Sequence, residues 1–273
     1  MHELTRTALA AADAAAAVHR RDQGHVLLEG ASEKGRSDYV SRTDVDAQAA
    51  AVAVILERYP DHVVLAEEDE RSVADRVAAS NGAPLWVVDP LDGTANFLHQ
   101  HPQYAASVAV AMEGRPVASA VVSAATNERW WATRGEGAFK GGRRIHVSTP
   151  RPLKDAMVGT GFPFKLLDRL PEYLGQFDRV LRSSSGVRRA GSAALDLCYL
   201  AQGSLDAFWE LILHPWDFAG GWLMVEEAGG KLVKLDGEPL DLTDSAIVGA
   251  NSLELLEALM EVLEVEAGVA QGV

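Results

Sequence analysis

Trp86-Val87-Val88-Asp89-Pro90-Leu91-Asp92-Gly93-Thr94-Ala95-Asn96-Phe97 is the stretch on which both fold and chemistry turn. An apolar run over residues 85–88 ends in two carboxylates, Asp89 and Asp92. Pro90 and Gly93 impose a tight turn there. Carboxylates at a strand end supply the oxygen ligands that a hard divalent cation takes. Gly93 and Thr94 would open a helix, whose free N–H groups suit a phosphate. One turn can thus carry both halves of a metal-assisted phosphoryl-transfer site. A plain Asp-rich turn that ends a strand has the same local chemistry, so the rest of the chain has to decide.

The chain has 273 residues, 48% of them hydrophobic, enough for one large domain or two lobes sharing a core. Its net charge of −14 argues against a nucleic-acid surface, which needs clustered Lys and Arg. The same charge repels a phosphate substrate unless bound divalent cations reverse the local sign. The single cysteine, Cys198, excludes an intramolecular disulfide and fits a reducing compartment. It lies in an apolar helical stretch, as a small buried hydrophobe does. No apolar run approaches the ~18 residues of a spanning helix. The N-terminus lacks a basic segment followed by an apolar one, so no signal peptide is expected. These features predict a cytoplasmic protein without membrane or nucleic-acid partners.

Outward from the turn, residues 4–21 are Ala-rich and helix-prone. Residues 34–37 have loop composition. Thr43 or Asp44 is placed to cap a helix that reaches Tyr59 and stops at Pro60. Residues 62–66 have strand character, and residues 71–80 fit an exposed helix or loop. After the central turn, residues 104–112, 117–123, 129–133, 138–140 and 143–147 alternate as consecutive strands of an antiparallel meander. Beyond Pro150 the elements alternate. Strands are expected at 157–161, 205–210, 231–235 and 246–250. Helices are expected at 167–181, 192–202, 218–228 and 253–263. The class is mixed α/β. The best boundary, Thr149-Pro150-Arg151-Pro152, divides an N-terminal lobe (1–150), carrying most candidate ligands, from a C-terminal α/β lobe (151–273).

Carboxylates recur where apolar strands end. Glu67 follows 63–66, Asp89 and Asp92 follow 85–88, and Glu210 follows 205–209. Asp217 sits in His214-Pro215-Trp216-Asp217-Phe218-Ala219-Gly220-Gly221, placed to cap the next helix. Several such ends in one α/β chain point to a shared crevice. Other features carry less. Asp44-Val45-Asp46 resembles the nucleophile motif of haloacid-dehalogenase-type phosphatases but opens a helix instead of closing a strand. His99 and His101 fit loop histidines better than a zinc site, with no cysteine nearby. Glu254, Glu257, Glu261 and Glu264 form a solvated helix face. Arg182, Arg188 and Arg189 either reach the crevice, where a guanidinium grips a second phosphate, or pair on the surface.

Taken together the motifs resemble those of the inositol monophosphatase family of magnesium-dependent, lithium-sensitive phosphatases. Asp89-Pro90-Leu91-Asp92-Gly93-Thr94-Ala95-Asn96-Phe97 is similar to its first motif and Trp216-Asp217-Phe218-Ala219-Gly220-Gly221 to its second. The segment from Lys34 to Asp44 resembles its N-terminal Lys…Asp-x-Val-Thr-x-x-Asp pattern, with Ser41 in place of Thr. Ala66-Glu67-Glu68 resembles Gly-Glu-Glu, with Ala66 for Gly, and Gly191-Ser192-Ala193-Ala194 resembles the sugar-side segment.

The resemblance implies a layered αβαβα sandwich and hydrolysis of a small phosphate monoester, foremost myo-inositol 1-phosphate. Fructose-1,6-bisphosphatase and 3′-phosphonucleotide phosphatase are the alternatives within the class, and a non-catalytic binding protein of the same fold is the alternative outside it. It implies two to three Mg²⁺ ions: the first on Glu67, Asp89 and the Leu91 carbonyl, the second on Asp89, Asp92 and Asp217. It implies that Asp44 and Thr94, with Glu67, orient and deprotonate a water, with Lys34 nearby. Gly93 and Thr94 N–H groups would hold the phosphate. Asp92, Gly191, Ser192, Ala193 and Glu210 would contact the alcohol, and the protein would be a homodimer.

Overall fold

The computed structural model describes residues 1–35, 38–69, 72–164 and 166–263. The chain opens with α1 (Glu3–Asp22), β1 (Ser32–Gly35), β2 (Asp38–Val40), α2 (Arg42–Arg58), β3 (Val63–Ala66) and α3 (Val73–Ser80). Next come β4 (Leu85–Asp92), α4 (Thr94–Leu98), β5 (Ala105–Met112), β6 (Arg115–Ser123), β7 (Glu128–Thr133), β8 (Gly137–Lys140) and β9 (Arg143–Arg144). Beyond residue 150 follow β10 (Met157–Thr160), α5 (Leu170–Ser183), β11 (Gly186–Arg188), α6 (Ala193–Ala201), β12 (Ala207–Glu210), α7 (Pro215–Glu227), β13 (Lys231–Lys234), β14 (Ile247–Ala250) and α8 (Leu253–Leu263).

Strands β3 to β9 form one seven-stranded sheet in sequence order, parallel only between β3 and β4. The second large sheet has the order β11-β10-β12-β14-β13. Strand alternation explains the layers. On β4, Trp86 and Val88 pack toward α1 and α2, while Leu85 and Val87 pack toward α6 and α7. Both faces are covered, so β4 is apolar throughout its first half. The second sheet turns Phe208, Leu232 and Ile247 to α6 and α7, and Trp209 and Val248 to α5 and α8. The result is the αβαβα sandwich.

Small residues set the spacing between layers. Ala8, Ala11, Ala12, Ala15 and Ala16 are fully buried along α1, which brings its backbone close to α2 and the sheet. In α7, a Cβ on Gly220 would lie 2.5 Å from Ser107 Oγ, and one on Gly221 would lie 2.4 Å from Leu197 Cβ. Those glycines let α7 lie flat between the sheets and carry Asp217 inward.

Several elements differ from the sequence expectation. Lys34 and Gly35 belong to β1, not a loop, because 32–35 pairs with β2. Strand β11 has only three residues, too few for alternation to reveal. Helix α2 is capped by Ser41, not Thr43 or Asp44, and α7 by His214, not Asp217; Asp44 and Asp217 each sit at N3 of a capping box. Of the acidic face on α8, Glu254, Glu257 and Glu261 are exposed, and Glu264 lies outside the described residues. Among the described residues no helix is long and apolar enough to cross a membrane.

Candidate active site

Strand β4 reaches past its apolar half into the Asp-Pro-Leu-Asp turn. Its pairing with β5 shifts register between Asp89 and Asp92. In a regular strand, residues three apart point to opposite faces. The bulge re-aims the chain, and both carboxylates enter one cavity. Leu91 N–H donates to Asp89 Oδ1 at 3.0 Å. Gly93 follows with φ +92°, and a Cβ there would lie 2.7 Å from the Gln103 carbonyl. Only glycine tolerates that combination of torsion and crowding. Asn96 Nδ2 then donates to the carbonyls of Gln103 (2.7 Å), Ala190 (3.0 Å) and Gly191 (3.2 Å), fastening α4 to the segment before α6.

Asp217 comes from the opposite side, on the first turn of α7. Its Oδ2 accepts from His214 N–H at 2.7 Å, which fixes the rotamer. One oxygen each of Asp89, Asp92 and Asp217 lies within 4.8 Å of the other two. Asp89 is 1% exposed, and burial pushes its carboxyl far above the usual range, with Glu67, Asp92 and Asp217 adding repulsion. Asp92 is pushed up to about 7 by burial and then by Asp217. Converging carboxylates that are costly to ionise without a counter-charge form a donor set for a divalent cation.

Glu67 follows β3, its N–H donating to the Val88 carbonyl at 3.2 Å, and lines the same cavity of about 390 Å³. Thr94 also lines it. Thr94 Oγ1 lies 2.9 Å from Asp44 Oδ1 and 3.0 Å from the Leu91 carbonyl, its one proton shared between them. Asp44 is fully buried, and its other oxygen accepts from Ser41 N–H (2.8 Å) and Ser41 Oγ (2.7 Å). Burial raises the Asp44 pKa more than these bonds lower it.

Away from the cation donors, Asp92 Oδ2 accepts from Ser192 Oγ at 2.6 Å and Ala194 N–H at 2.8 Å. Gly191 and Ala193 line the wall beside them, and Glu210 enters from the end of β12. A Cβ on Gly161 would fall 1.9 Å from Glu210 Oε1, so that glycine makes room for the carboxylate. Burial drives Glu210 well above the usual range, with Asp217, Asp196 and Asp92 adding to it.

The structure therefore brings Asp44, Glu67, Asp89, Leu91, Asp92, Gly93, Thr94, Gly191, Ser192, Ala193, Glu210 and Asp217 to one place. The side chain of Lys34 lies outside the described residues. Of the three arginines only Arg189 lines the cavity. Arg182 pairs with Asp178 on the surface, and Arg188 is exposed. Arg189 is held over the rings of Phe162 (4.9 Å) and Phe164 (5.6 Å). Sequence reasoning missed Asp196, which is 2% exposed and lines the cavity from α6. The available signal was its standing as the sole charged residue of an otherwise apolar helix. Asp46 is no nucleophile of this site; it pairs with Arg21 at 2.6 Å.

Comparison with known proteins agrees with this geometry. The family model described as inositol monophosphatase family matches residues 1–266. The chain is 38% identical over 266 residues to Nus factor SuhB of Pseudomonas aeruginosa, covering 97% of each chain. It is 40% identical over 244 residues to inositol-1-monophosphatase of Rhizobium meliloti, covering 89% of this chain and 90% of that one. The crystal structure of extragenic suppressor protein suhB from Bartonella henselae superposes with a TM-score of 0.88 at 35% identity, over 98% of this chain and all of that one. The fold, the converging carboxylates and the match over nearly its whole length show that this chain belongs to the inositol monophosphatase family.

Proposed function

We propose that the protein is a Mg²⁺-dependent phosphomonoesterase acting on a small polyol phosphate, with myo-inositol 1-phosphate the foremost substrate. The observation that carries this is the convergence of Asp89, Asp92 and Asp217 beside the Thr94–Asp44 pair in one cavity. Glu67, Asp89 and the Leu91 carbonyl would hold a first ion, and Asp89, Asp92 and Asp217 would hold a second. Bound Mg²⁺ supplies a water of lowered pKa and neutralises the phosphate oxygens.

The chain's own residues do the rest. Thr94 Oγ1, already donating toward Asp44, turns its lone pairs to the attacking water. The water proton passes to Thr94 Oγ1 as the threonine proton passes to Asp44 Oδ1, the water oxygen bonds to phosphorus, and the bond from phosphorus to the alcohol oxygen breaks, that oxygen leaving with a proton taken from solvent water. Burial of Asp44 favours that transfer by making its carboxylate more basic. Gly93 and Thr94 N–H groups orient the phosphate. Ser192, Ala193, Gly191, Asp92 and Glu210 hold the alcohol, whose hydroxyls find acceptors in the carboxylates.

The relative from Rhizobium meliloti, named for inositol-1-monophosphatase activity, supports the choice of substrate. The name Nus factor SuhB supports a second role by partner binding. Leu174 and Leu181, two turns apart on α5, are exposed apolar side chains suited to a subunit contact in the homodimer proposed here. Phosphate release from inositol, glycerol, fructose and nucleotide phosphates with Mg²⁺ tests the reading. Inositol 1-phosphate is expected to give the highest kcat/KM, and a protein inactive on the whole panel would contradict the assignment in favour of binding alone.

A further inference from the structure

The Asp89–Asp92 bulge has a support that comes from outside its sheet. Pro90 and Leu91 have no register partner on β5, and a proline has no N–H to give. The Pro90 carbonyl instead meets His19 Nε2 at 2.8 Å. His19 stands in the last turn of α1, fully buried, against the rings of Tyr104 (5.9 Å) and Phe97 (6.1 Å). Its Nδ1 is buried without a partner. Desolvation pushes its pKa down to about 4, so the ring is neutral. A carbonyl only accepts, so the single ring proton sits on Nε2 and donates to Pro90. A bare Nδ1 in an apolar cluster costs stability, and the bond to the turn is what the imidazole gives in return.

We propose that His19 is a positioning residue for the cation site: by donating from Nε2 to the Pro90 carbonyl it holds the bulge that sends Asp89 and Asp92 into one cavity. This rests on the assignment of Asp89, Asp92 and Asp217 as cation ligands. The carbonyl it grips lies one residue from Asp89 and one from Leu91, so a turn released there moves two ligands of the first ion together. Groups that orient ligands without touching the ion commonly change its affinity by about 10- to 100-fold when removed.

The test is Mg²⁺ binding by titration calorimetry, with thermal unfolding in EDTA alongside. The proteins are wild type, His19→Leu, His19→Gln and Phe97→Leu. Leu removes the donor, and the Gln amide nitrogen stands near the place of Nε2. Phe97→Leu damages the same cluster but leaves the bond. His19→Leu is expected to weaken Mg²⁺ by about tenfold or more, while His19→Gln and Phe97→Leu stay close to wild type, even where Phe97→Leu unfolds as early as His19→Leu. Wild-type affinity in His19→Leu would overturn the proposal. So would a His19→Gln as weak as His19→Leu, or a Phe97→Leu that loses the ion equally. If His19→Leu does not fold, His19→Asn, whose amide is too short to reach Pro90, decides in its place. A wild type that binds no Mg²⁺ overturns the cation-site assignment itself, a separate result from loss confined to the variants.

Discussion

Thr94 Oγ1 and Asp44 Oδ1 lie 2.9 Å apart although fifty positions separate them in the chain. Asp44 reaches that point because its capping-box bonds to Ser41 lock one oxygen and leave the other facing the turn. The pair is expected to act as one proton-transfer unit. Thr94→Ala should lower kcat much more than it changes KM, because orienting a water matters chiefly in the transition state. Asp44→Asn should do the same, and the double variant should be little worse than either single. Steady-state kinetics on the three variants decides; losses that simply multiply would show that the two residues act independently.

Stability should depend on pH in a way that Mg²⁺ removes. Burial, and then Asp217, pushes Asp92 up to about 7 in the folded chain, well above an ordinary carboxylate, and Asp89 and Glu210 rise as well. Between about pH 4 and 7 the folded state therefore holds protons that the unfolded state has lost. Stability from these groups is greatest at the acid end of that window and falls as pH rises through it. His19 has the opposite sign, with its pKa lowered to about 4, but it is present with and without the ion. The difference in Tm between Mg²⁺ and EDTA should accordingly widen from pH 5 to pH 8, as metal binding displaces fewer protons. A constant difference across that range would contradict the account.

Gly93→Ala tests the turn itself. The substitution meets a φ of +92° and a carbonyl oxygen 2.7 Å from the new Cβ. The expected destabilisation exceeds about 1 kcal/mol, read as a lowered denaturant midpoint, and turnover should fall with it because Thr94 is the next residue. A variant as stable and active as wild type would show that the turn relaxes freely.

Arg189 separates the substrate classes. Arg189 lines the cavity beside Asp196 and Glu210, with its Nε buried and without a hydrogen-bond partner. Two carboxylates at the same end, Asp196 and Glu210, favour hydroxyls over a second phosphate. Inositol 1-phosphate is expected to have a higher kcat/KM than fructose 1,6-bisphosphate. Arg189→Ala should change the ratio of the two, whereas Arg188→Ala should not, since Arg188 is exposed and outside the cavity. A bisphosphate preference of roughly tenfold, erased in Arg189→Ala, would reverse the assignment.

What the chain revealed in advance was whatever its local chemistry determines. Apolar runs ended by acids marked β3, β4 and β12, and the turn residues Pro90 and Gly93 marked the site. Alternation marked the meander from β5 to β8. The missed features depend on contacts between distant segments. Asp196 lines the cavity only because α6 lies against β10; Arg189 was named with Arg182 and Arg188, but which of the three reaches the cavity is decided by its contacts with Phe162 and Phe164. Asp44 and Asp217 occupy N3 where the cap was expected, since Asp serves both as a cap and as the N3 acid of a capping box, and the caps proved to be Ser41 and His214 three residues earlier. His19 was invisible for the same reason: its partner is a carbonyl 71 positions away.

The most direct measurement is the Mg²⁺ dependence of phosphate release from inositol 1-phosphate by wild type and Asp89→Asn. Asp89 is the one side chain assigned to both ions, so the account predicts Mg²⁺-dependent turnover in wild type and almost none in Asp89→Asn at any Mg²⁺ concentration, with the fold intact by circular dichroism. Asp217→Asn should retain measurable activity at high Mg²⁺. Near-normal turnover by Asp89→Asn at moderate Mg²⁺, or wild-type turnover that EDTA leaves unchanged, would contradict the metal-assisted mechanism.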